Sequence, residues 1–500
     1  MNVKDQMKNA KWWYSIYFKI DFILHLTFGL WHLAFSHFRE WCVFRNGRFL
    51  ILLAIALRSP SSILAKNIIA KSILVLLIMA ACCGTVTAGE YDFTIPEARP
   101  KPYELGARLE ARSITHRFDE TSARYRLIRF QDDPGSDAHD WHLSAELSGK
   151  FRAGMLQAVL LTHHEFADTY TENEWTDKIY EGYVSLTPTP HLTLDAGKKL
   201  VLWGKGYAWN PVGFINPPKD PDDPTLSLEG NTFAGVDLIK SFTAGGLANI
   251  GLTAMLLPVI EDWTNADFGD DGDLNAALKL YLLWHDTDLD FICYDGPSQP
   301  LSLGFDFARN LAENIEVHGE LAYRRDVAHV VIDADGPSTA SREDQVSYLI
   351  GMRYLNALDT TFIAEYYHNG NGYDRDEMKA FFTYQEAAFD RWQITGDSAS
   401  MQRASRLAGP VYQQRNMGED YFYLKISQKE PFDILYFTPW ITSMVNLQDF
   451  SFNLQPGLTW TPVTNLEFNC RVGIPVGPSR TEFGEKPDAW RPEAWVRYYF

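Results

Sequence analysis

The chain has 500 residues, of which 46% are hydrophobic and 14% aromatic, with 34 Gly, 25 Pro and a formal net charge of −19. A negative mean hydropathy beside so many dispersed apolar residues excludes both a disordered polypeptide and a bundle of apolar membrane helices. The acidity excludes nucleic acid as a partner, because phosphate contacts need clustered Lys and Arg.

Apolar residues are pooled only near the N-terminus. Two stretches, "WWYSIYFKIDFILHLTFGLWHLAFSHF" and "FLILLAIAL", precede a segment with the plan of a signal peptide. In that segment Lys66 and Lys71 form a basic flank, Ile73 to Ala81 an apolar core, and Val86, Thr87 and Ala88 a small-residue cleavage site. We therefore read 1–88 as a leader region with the signal at about 66–88 and residue 89 as the first of the mature chain. The two upstream stretches then reflect an overextended start, with a pair of membrane helices as the alternative. Cleavage before an acylated Cys82 is a rival reading, with Met79 where such a site prefers Leu. Without the 10 basic and 3 acidic residues of 1–88, 35 basic face 61 acidic residues, a balance of −26. Only Cys293 and Cys470 remain, in separate strand-like segments, so neither a disulfide framework nor a metal signature is expected.

After a short segment, 89–102, the chain breaks into alternating stretches. In 274–284, Leu274, Ala276, Leu278, Leu280 and Leu282 share a face opposite Asn275, Lys279 and Tyr281. In 315–324, Ile315, Val317, Gly319, Leu321 and Tyr323 oppose Glu316, His318, Glu320 and Arg324. The period of two is that of strands with unlike surroundings on their two faces. Tight links at 148–153, 187–190, 242–246, 285–288, 310–314, 356–359, 428–433 and 461–465 alternate with long ones at 119–138, 166–176, 203–231, 259–272, 326–341, 369–418 and 475–490. Two further links, 295–300 and 446–448, are short on the long-loop side. The spacing predicts eighteen strands: 103–117, 139–150, 153–165, 177–187, 190–202, 232–242, 246–258, 273–285, 287–295, 300–309, 313–325, 342–355, 359–368, 419–428, 432–445, 449–460, 464–474 and 491–500. Sixteen or twenty are the alternatives. In hydrocarbon a sheet spans only if it closes, so the expected fold is all-β, a closed antiparallel transmembrane barrel over 103–500. The last strand ends in "AWVRYYF", with Ala494, Val496, Tyr498 and Phe500 on one face, and must pair with the first.

On these residues the chain resembles the Gram-negative outer-membrane porin-type barrels of the 18-stranded size class. The resemblance implies a channel for diffusion of small hydrophilic solutes, with no catalytic residues, metal or cofactor. It also implies that Tyr498 and Phe500 form the signal read by the barrel-assembly machinery, and that lipid and lipopolysaccharide surround the protein. A homo-oligomer is compatible with it. The run "WGKGYAWNP" is similar in style to a poorly characterised porin-like group in which WGxG precedes an Asn-Pro step.

The loop 203–231, with Trp203, Lys205, Tyr207, Trp209, Asn210, Lys219, Asp220, Asp222 and Asp223, is expected to fold inward as a constriction, against the alternative of a surface loop. Gly204-Lys205-Gly206 lacks the spacing of a phosphate loop. The expected lumen wall comprises Arg108, Arg112, Lys199, Lys279, Glu316, His318, Glu320, Arg324, Arg353, Glu365, Arg471 and Arg497, charges of both signs suited to cross-strand pairing. The apolar residues of 375–392, among them Met378, Phe381, Phe382, Ala388, Phe389 and Trp392, recur at helical spacing and predict a short helix in the longest loop. The acidic run at 261–273 lacks calcium-loop spacing and reads as solvated. His368 has no Ser at the offset a hydrolase would need. A polysaccharide export channel is the alternative function, disfavoured by the mixed wall, and an outer-membrane hydrolase a more distant one. The segment before the first strand is too short for the plug of a TonB-dependent transporter.

Overall fold

The computed structural model describes residues 101–500, apart from 132, 218, 221–227, 261–263, 298–299, 337 and 415. The leader, the signal segment and Cys82 lie outside the described residues, as do Asp222, Asp223, Glu261 and Asp262.

Eighteen strands run in chain order: β1 (Tyr103–Phe118), β2 (Asp137–Ala153), β3 (Leu156–Asp168), β4 (Asn173–Thr189), β5 (Leu192–Lys199), β6 (Asn231–Ser241), β7 (Leu247–Pro258), β8 (Leu274–Trp284), β9 (Thr287–Asp295), β10 (Ser302–Ala312), β11 (Ile315–Ile332), β12 (Ser338–Leu355), β13 (Thr360–His368), β14 (Asp420–Gln428), β15 (Phe437–Asn446), β16 (Phe452–Val463), β17 (Leu466–Val476) and β18 (Asp488–Tyr499). Each pairs antiparallel with its neighbours in sequence, and β18 closes on β1 in the register Glu110↔Arg497 and Ala111↔Val496. The ladder continues past the last strand, where the Phe500 N–H donates to the Ala107 carbonyl at 2.9 Å. The sheet is thus a closed transmembrane barrel with no free edge between its first and last strands.

Alternation decides what each face meets. On β2, Trp141, Leu143, Leu147 and Phe151 point outward and are exposed, while His142, Ser144 and Glu146 point inward. Trp141 and Phe151 stand ten residues apart, which at about 3.3 Å per residue and a tilt of about 40° is a height of about 25 Å, that of a barrel's apolar band. Aromatics mark both rims of that band: Tyr103, Phe151, Trp284 and Phe500 at the short-turn end, Trp141, Trp175 and Trp490 at the other.

Four expectations are corrected, the first being the long link at 166–176, which is only four residues because β3 and β4 stay paired as far as Asp168↔Asn173. The fifth strand stops at Lys199 rather than 202, because the Leu200 N–H is taken at 3.0 Å by the Glu181 side chain rather than by the backbone of β4. The stretch 326–341 is not a long loop: past a bulge between Arg324 and Val327, β11 and β12 stay paired as far as Ile332↔Ser338. The link 119–138 holds an unforeseen helix, α1 (Ala123–Gln131).

The long loop after β13 folds into two helices, α2 (Arg375–Thr395) and α3 (Ser398–Gln413). Asp374 and Glu377 form a reciprocal capping box at the start of α2, and Gly396 ends it in the left-handed region at φ 71°. Asp397 then caps α3 by accepting from the Ala399 N–H at 3.0 Å. Met378, Phe381 and Phe382 of α2 pack on Met401, Ala404 and Ala408 of α3, with Leu127 of α1 and Ile332 of β11, so the cap has a core of its own.

Candidate functional site

The short β5 sends the chain out of the sheet part-way up the wall, and residues 203–216 turn into the barrel. Two asparagines knot this segment. Asn216 accepts from the Trp203 N–H at 2.9 Å and donates back to the Trp203 carbonyl at 2.7 Å, while Asn210 donates to the Gly206 carbonyl at 3.2 Å. Gly204, at φ 97°, supplies a turn that a side chain would strain.

Wall carboxylates hold the knot. Glu320 of β11 accepts from the Lys205 and Gly206 N–H groups, both at 2.6 Å, from Asn210 at 2.8 Å and from the Val212 N–H at 3.3 Å. Glu365 of β13 accepts from the Tyr207 N–H, from the Ala208 N–H at 2.8 Å and from His318 Nε2, which lies 2.9 Å away. Successive backbone N–H groups thus form two nests around two buried acids, the arrangement that usually binds a free anion. Here the anion is the protein's own wall.

The Lys205 side chain reaches β9 and β10, 2.9 Å from Asp290 and 3.8 Å from Asp306. Burial would lower its pKa, but the hydrogen bond and charge of Asp290, with Asp306 behind it, raise it above the usual lysine value. Lys219 donates to the Gly206 carbonyl at 2.8 Å, and burial pulls its ammonium below the ordinary value against the field of Glu320 and Glu365. Lys425 of β14 donates to the Tyr207 hydroxyl at 2.7 Å.

Apolar packing does the rest. Trp203, Val212, Phe214 and Ile215 bury against Met255, Leu257, Ala277 and Ile292 of β7, β8 and β9. Ala208 and Trp209 bury against Leu349, Tyr421, Tyr423 and Met444 of β12, β14 and β15, and Trp209 stacks on Tyr367 at 5.0 Å. The closing loop joins this cluster through Phe483, and Glu482 accepts from the Tyr421 hydroxyl at 2.6 Å and from Asn446 at 2.8 Å. Burial pushes the Glu482 carboxyl above its usual range.

Where the loop does not pack, the wall carries charge. Glu493 of β18 binds Arg112, Arg471 at 3.0 Å and Arg491 at 2.9 Å. Arg497 binds Glu110 at 2.5 Å and Glu467 at 3.2 Å, and Arg108 binds Glu146 at 2.5 Å. The guanidinium groups of Arg112, Arg471 and Arg497 lie 5.3, 5.4 and 5.8 Å from the Trp495 ring. The lumen is therefore lopsided: β7 to β15 are lined by the loop, and β17, β18, β1 and β2 by paired arginines and glutamates.

Of the residues singled out from sequence, Trp203, Lys205, Tyr207, Trp209 and Asn210 meet Glu320 and Glu365 in one place. Arg324 and Lys279 join them by lying 5.4 Å from Phe214 and 5.8 Å from Trp203. Arg108, Arg112, Arg471 and Arg497 form the separate charged wall. Lys199 pairs with Asp195 at 2.6 Å, away from both, and Glu316, opposite Arg353 across β11 and β12, lies 3.8 Å from His318 at the edge of the inner site. His368 lies 2.9 Å from Asp420 and stacks on Tyr348, and no serine hydroxyl bonds to it among the described residues. Asp290, Lys425 and Glu482 belong to the inner site and were not singled out. Their facing across β9, β14 and the last loop is set by register and chain path, though the inward parity of Asp290 and Lys425 was readable. Among the described residues no group of three His, Cys, Asp or Glu side chains is placed to hold a metal ion.

No family model and no curated protein matches the chain. Among solved structures it is similar to Acinetobacter baumannii OccAB1, at 10% identity and a TM-score of 0.49 over 80% of this chain and 97% of that one. It is also similar to Pseudomonas aeruginosa OccK5 (OpdH), at 12% and 0.47 over 79% and 98%. Wzi of Escherichia coli, described as a carbohydrate-binding β-barrel of the outer membrane involved in group 1 capsule assembly, is similar at 9% and 0.47 over 79% and 84%. These likenesses are ones of fold.

Proposed function

We propose that the chain is a porin-like channel of the bacterial outer membrane that passes small hydrophilic solutes by diffusion, without a covalent step. The observation that carries this reading is the loop 203–216 held inside a closed barrel by Glu320 and Glu365, opposite a wall of ordered arginines. Such a pairing narrows an aqueous path and sets a transverse field across it, which sorts solutes by size and charge. In this reading Lys205, Tyr207, Lys219 and Asp220 line the narrow passage on the loop side, and Arg108, Arg112 and Arg497 line it on the other. The WGxG and Asn-Pro steps of the loop would mark a porin-like group in which this knot is shared. The segment 66–88 would direct export, Phe500 would be read by the assembly machinery, and lipopolysaccharide would meet the outer rim.

The test is single-channel recording of the purified chain, refolded without residues 1–88, in planar bilayers with a salt gradient. Discrete, ohmic conductance steps with a reversal potential displaced from zero are expected. A fully folded barrel that inserts and stays silent would reject the channel reading and favour a structural role.

A further inference from the structure

A groove of about 510 Å³ runs across the outward face of β6, β7, β8 and β9. Its floor is made of small outward residues, Ala234, Ala254, Ala276 and Cys293, and its sides of Leu256 and Leu278, both exposed. The register sets these together: Leu256 faces Ala234 on one neighbouring strand and Ala276 on the other, and Leu278 faces Ala254 and Cys293. The inward residues of the same strands, Met255, Ala277 and Ile292, pack on Trp203, Phe214 and Ile215 of the inner loop, so the wall behind the groove is braced. The groove lies in the long-loop half of the bilayer, because Ala234 is close to the start of β6 at Asn231 and Asp295, which ends β9, stands opposite Ala276 at its upper end.

Two features say what fills it. The first is position: the groove is apolar and continuous with the lipid-facing band, so water finds no polar partners in it and an acyl chain gains close contacts. At about 30 Å³ per water the volume equals about 17 waters, room for a length of one chain. The second is charge. Between Lys240 and Arg309 the sequence holds one Lys or Arg, Lys279, and its ammonium points into the lumen, 3.9 Å from Asp290. Above the groove the link from β7 to β8 carries Asp267, Asp270, Asp271 and Asp273, and Asp295 is exposed on the groove itself. A rim of this sign repels a head group that bears only phosphate and attracts one that presents an ammonium.

We propose that the groove seats one acyl chain of a phospholipid whose head group carries an ammonium. The chain lies on Ala234, Ala254, Ala276 and Cys293 between the two leucines, and the ammonium stands at the long-loop rim beside Asp295. Lipopolysaccharide is kept from this sector because its phosphates meet the same acidic rim. The site is on the outer wall, and its occupancy does not depend on conduction through the barrel.

The full chain in detergent micelles is incubated with equimolar phosphatidylethanolamine and phosphatidylglycerol of the same acyl chains, and the lipid that stays bound is counted by native mass spectrometry. One phosphatidylethanolamine per barrel is expected, favoured about fivefold over phosphatidylglycerol, the scale of one exposed ion pair. Ala254→Leu with Ala276→Leu fills the floor and should release both lipids, whereas Asp295→Asn should keep one lipid and lose the preference. Far-UV circular dichroism confirms that each variant is folded; should the double variant not fold, Asp295→Asn decides alone. No retained lipid, equal retention by the filled variant, or a preference that is absent or survives Asp295→Asn overturns the proposal. So does a dimer that the filled variant abolishes, which would make this face an interface between copies. In a parallel incubation, lipopolysaccharide retained with Mg²⁺ in place of phosphatidylethanolamine would overturn it as well, by making the rim a cation-bridged phosphate site.

Discussion

Replacing Glu320 and Glu365 together by Gln removes two charges while keeping the side-chain shapes, and so asks whether these acids hold the inner loop. Five backbone N–H groups, those of Lys205, Gly206, Tyr207, Ala208 and Val212, donate to the two carboxylates. A hydrogen bond to a charged acceptor contributes about 1.5–3 kcal/mol and one to a neutral acceptor about 0.5–1.5, so each bond loses about 1 kcal/mol and the set about 5. Each new amide also turns a donor toward a donor, which adds to the loss. At about 1.4 kcal/mol per decade, local opening becomes more than a thousandfold easier. Apolar burial of Trp203, Trp209 and Ile215 and the Lys205–Asp290 pair are untouched, so the loop loosens without leaving the barrel. Hydrogen exchange read at amides 205–208 should accelerate by about three decades, while amides of the β1–β18 ladder keep their protection. In bilayers the open current should become larger and noisier. Unchanged protection at 205–208 in a folded variant would refute the claim that the carboxylates pin the loop.

Glu493→Ala strips the common partner from Arg112, Arg471 and Arg491, two of them largely buried, and should destabilise the barrel by about 3–5 kcal/mol in denaturant titration, whereas Arg117→Ala, in an exposed pair, should cost under about 1 kcal/mol. Ile350→Arg places a charge on the outward face of β12 and should cost about 2–4 kcal/mol in lipid; no loss would mean that this face does not meet acyl chains. Glu229 is partly buried, which raises its pKa, but Lys198 and Lys178 more than offset this and hold it below the usual carboxylate range. Its tie at the loop's exit is therefore fully present above the ordinary glutamate value of about 4.3 and lost as pH falls through the lowered one. Exchange at the Gly230 amide should rise over that acid window and not in Glu229→Gln, which lacks the tie throughout. Deleting Phe500 removes its bond to Ala107 and an exposed rim aromatic, and the yield of membrane-assembled barrel should fall several-fold.

The eighteen strands were legible because a lipid face and a wet face impose alternation on every crossing, and the tight turns mark one rim. Errors arose where alternation ran past the membrane or the sheet. Val327 to Ile332 alternates only beyond a bulge, and so looked like loop. Leu200 to Leu202 extends the apolar run of β5 although its backbone leaves the sheet. Of the helices, α2 showed its apolar stripe, whereas Gly409 and Pro410 masked α3, and α1 is too short and basic to show one. The inward course of 203–216 was expected from its aromatics and prolines, but its fastening was not. The donors are backbone N–H groups, which leave no mark in sequence, and their acceptors lie more than a hundred residues away in chain order.

The length of β5 links these observations. Its neighbour β4 has 17 residues and β5 only eight, so the chain is released from the wall well below the rim that β4 reaches. Glu320 and Glu365 each sit five residues above a short turn, at Ile315 and Thr360. A loop leaving at the rim would need several more residues to reach them, each adding conformational entropy to be lost on closure. Leaving at Leu200, it reaches Glu320 within five residues, at Lys205. The Glu181 side chain that takes the Leu200 N–H ends the strand there and so fixes the depth of the constriction from outside it. Glu181→Ala removes the acceptor of the Leu200 N–H, while the facing Tyr180 carbonyl stays with the Gly230 N–H, so the chain's exit from β5 should loosen and the nests at Glu320 with it. Faster exchange at amides 200, 205 and 206 is the expected signature; unaltered exchange at all three would separate the Glu181 tie from loop depth.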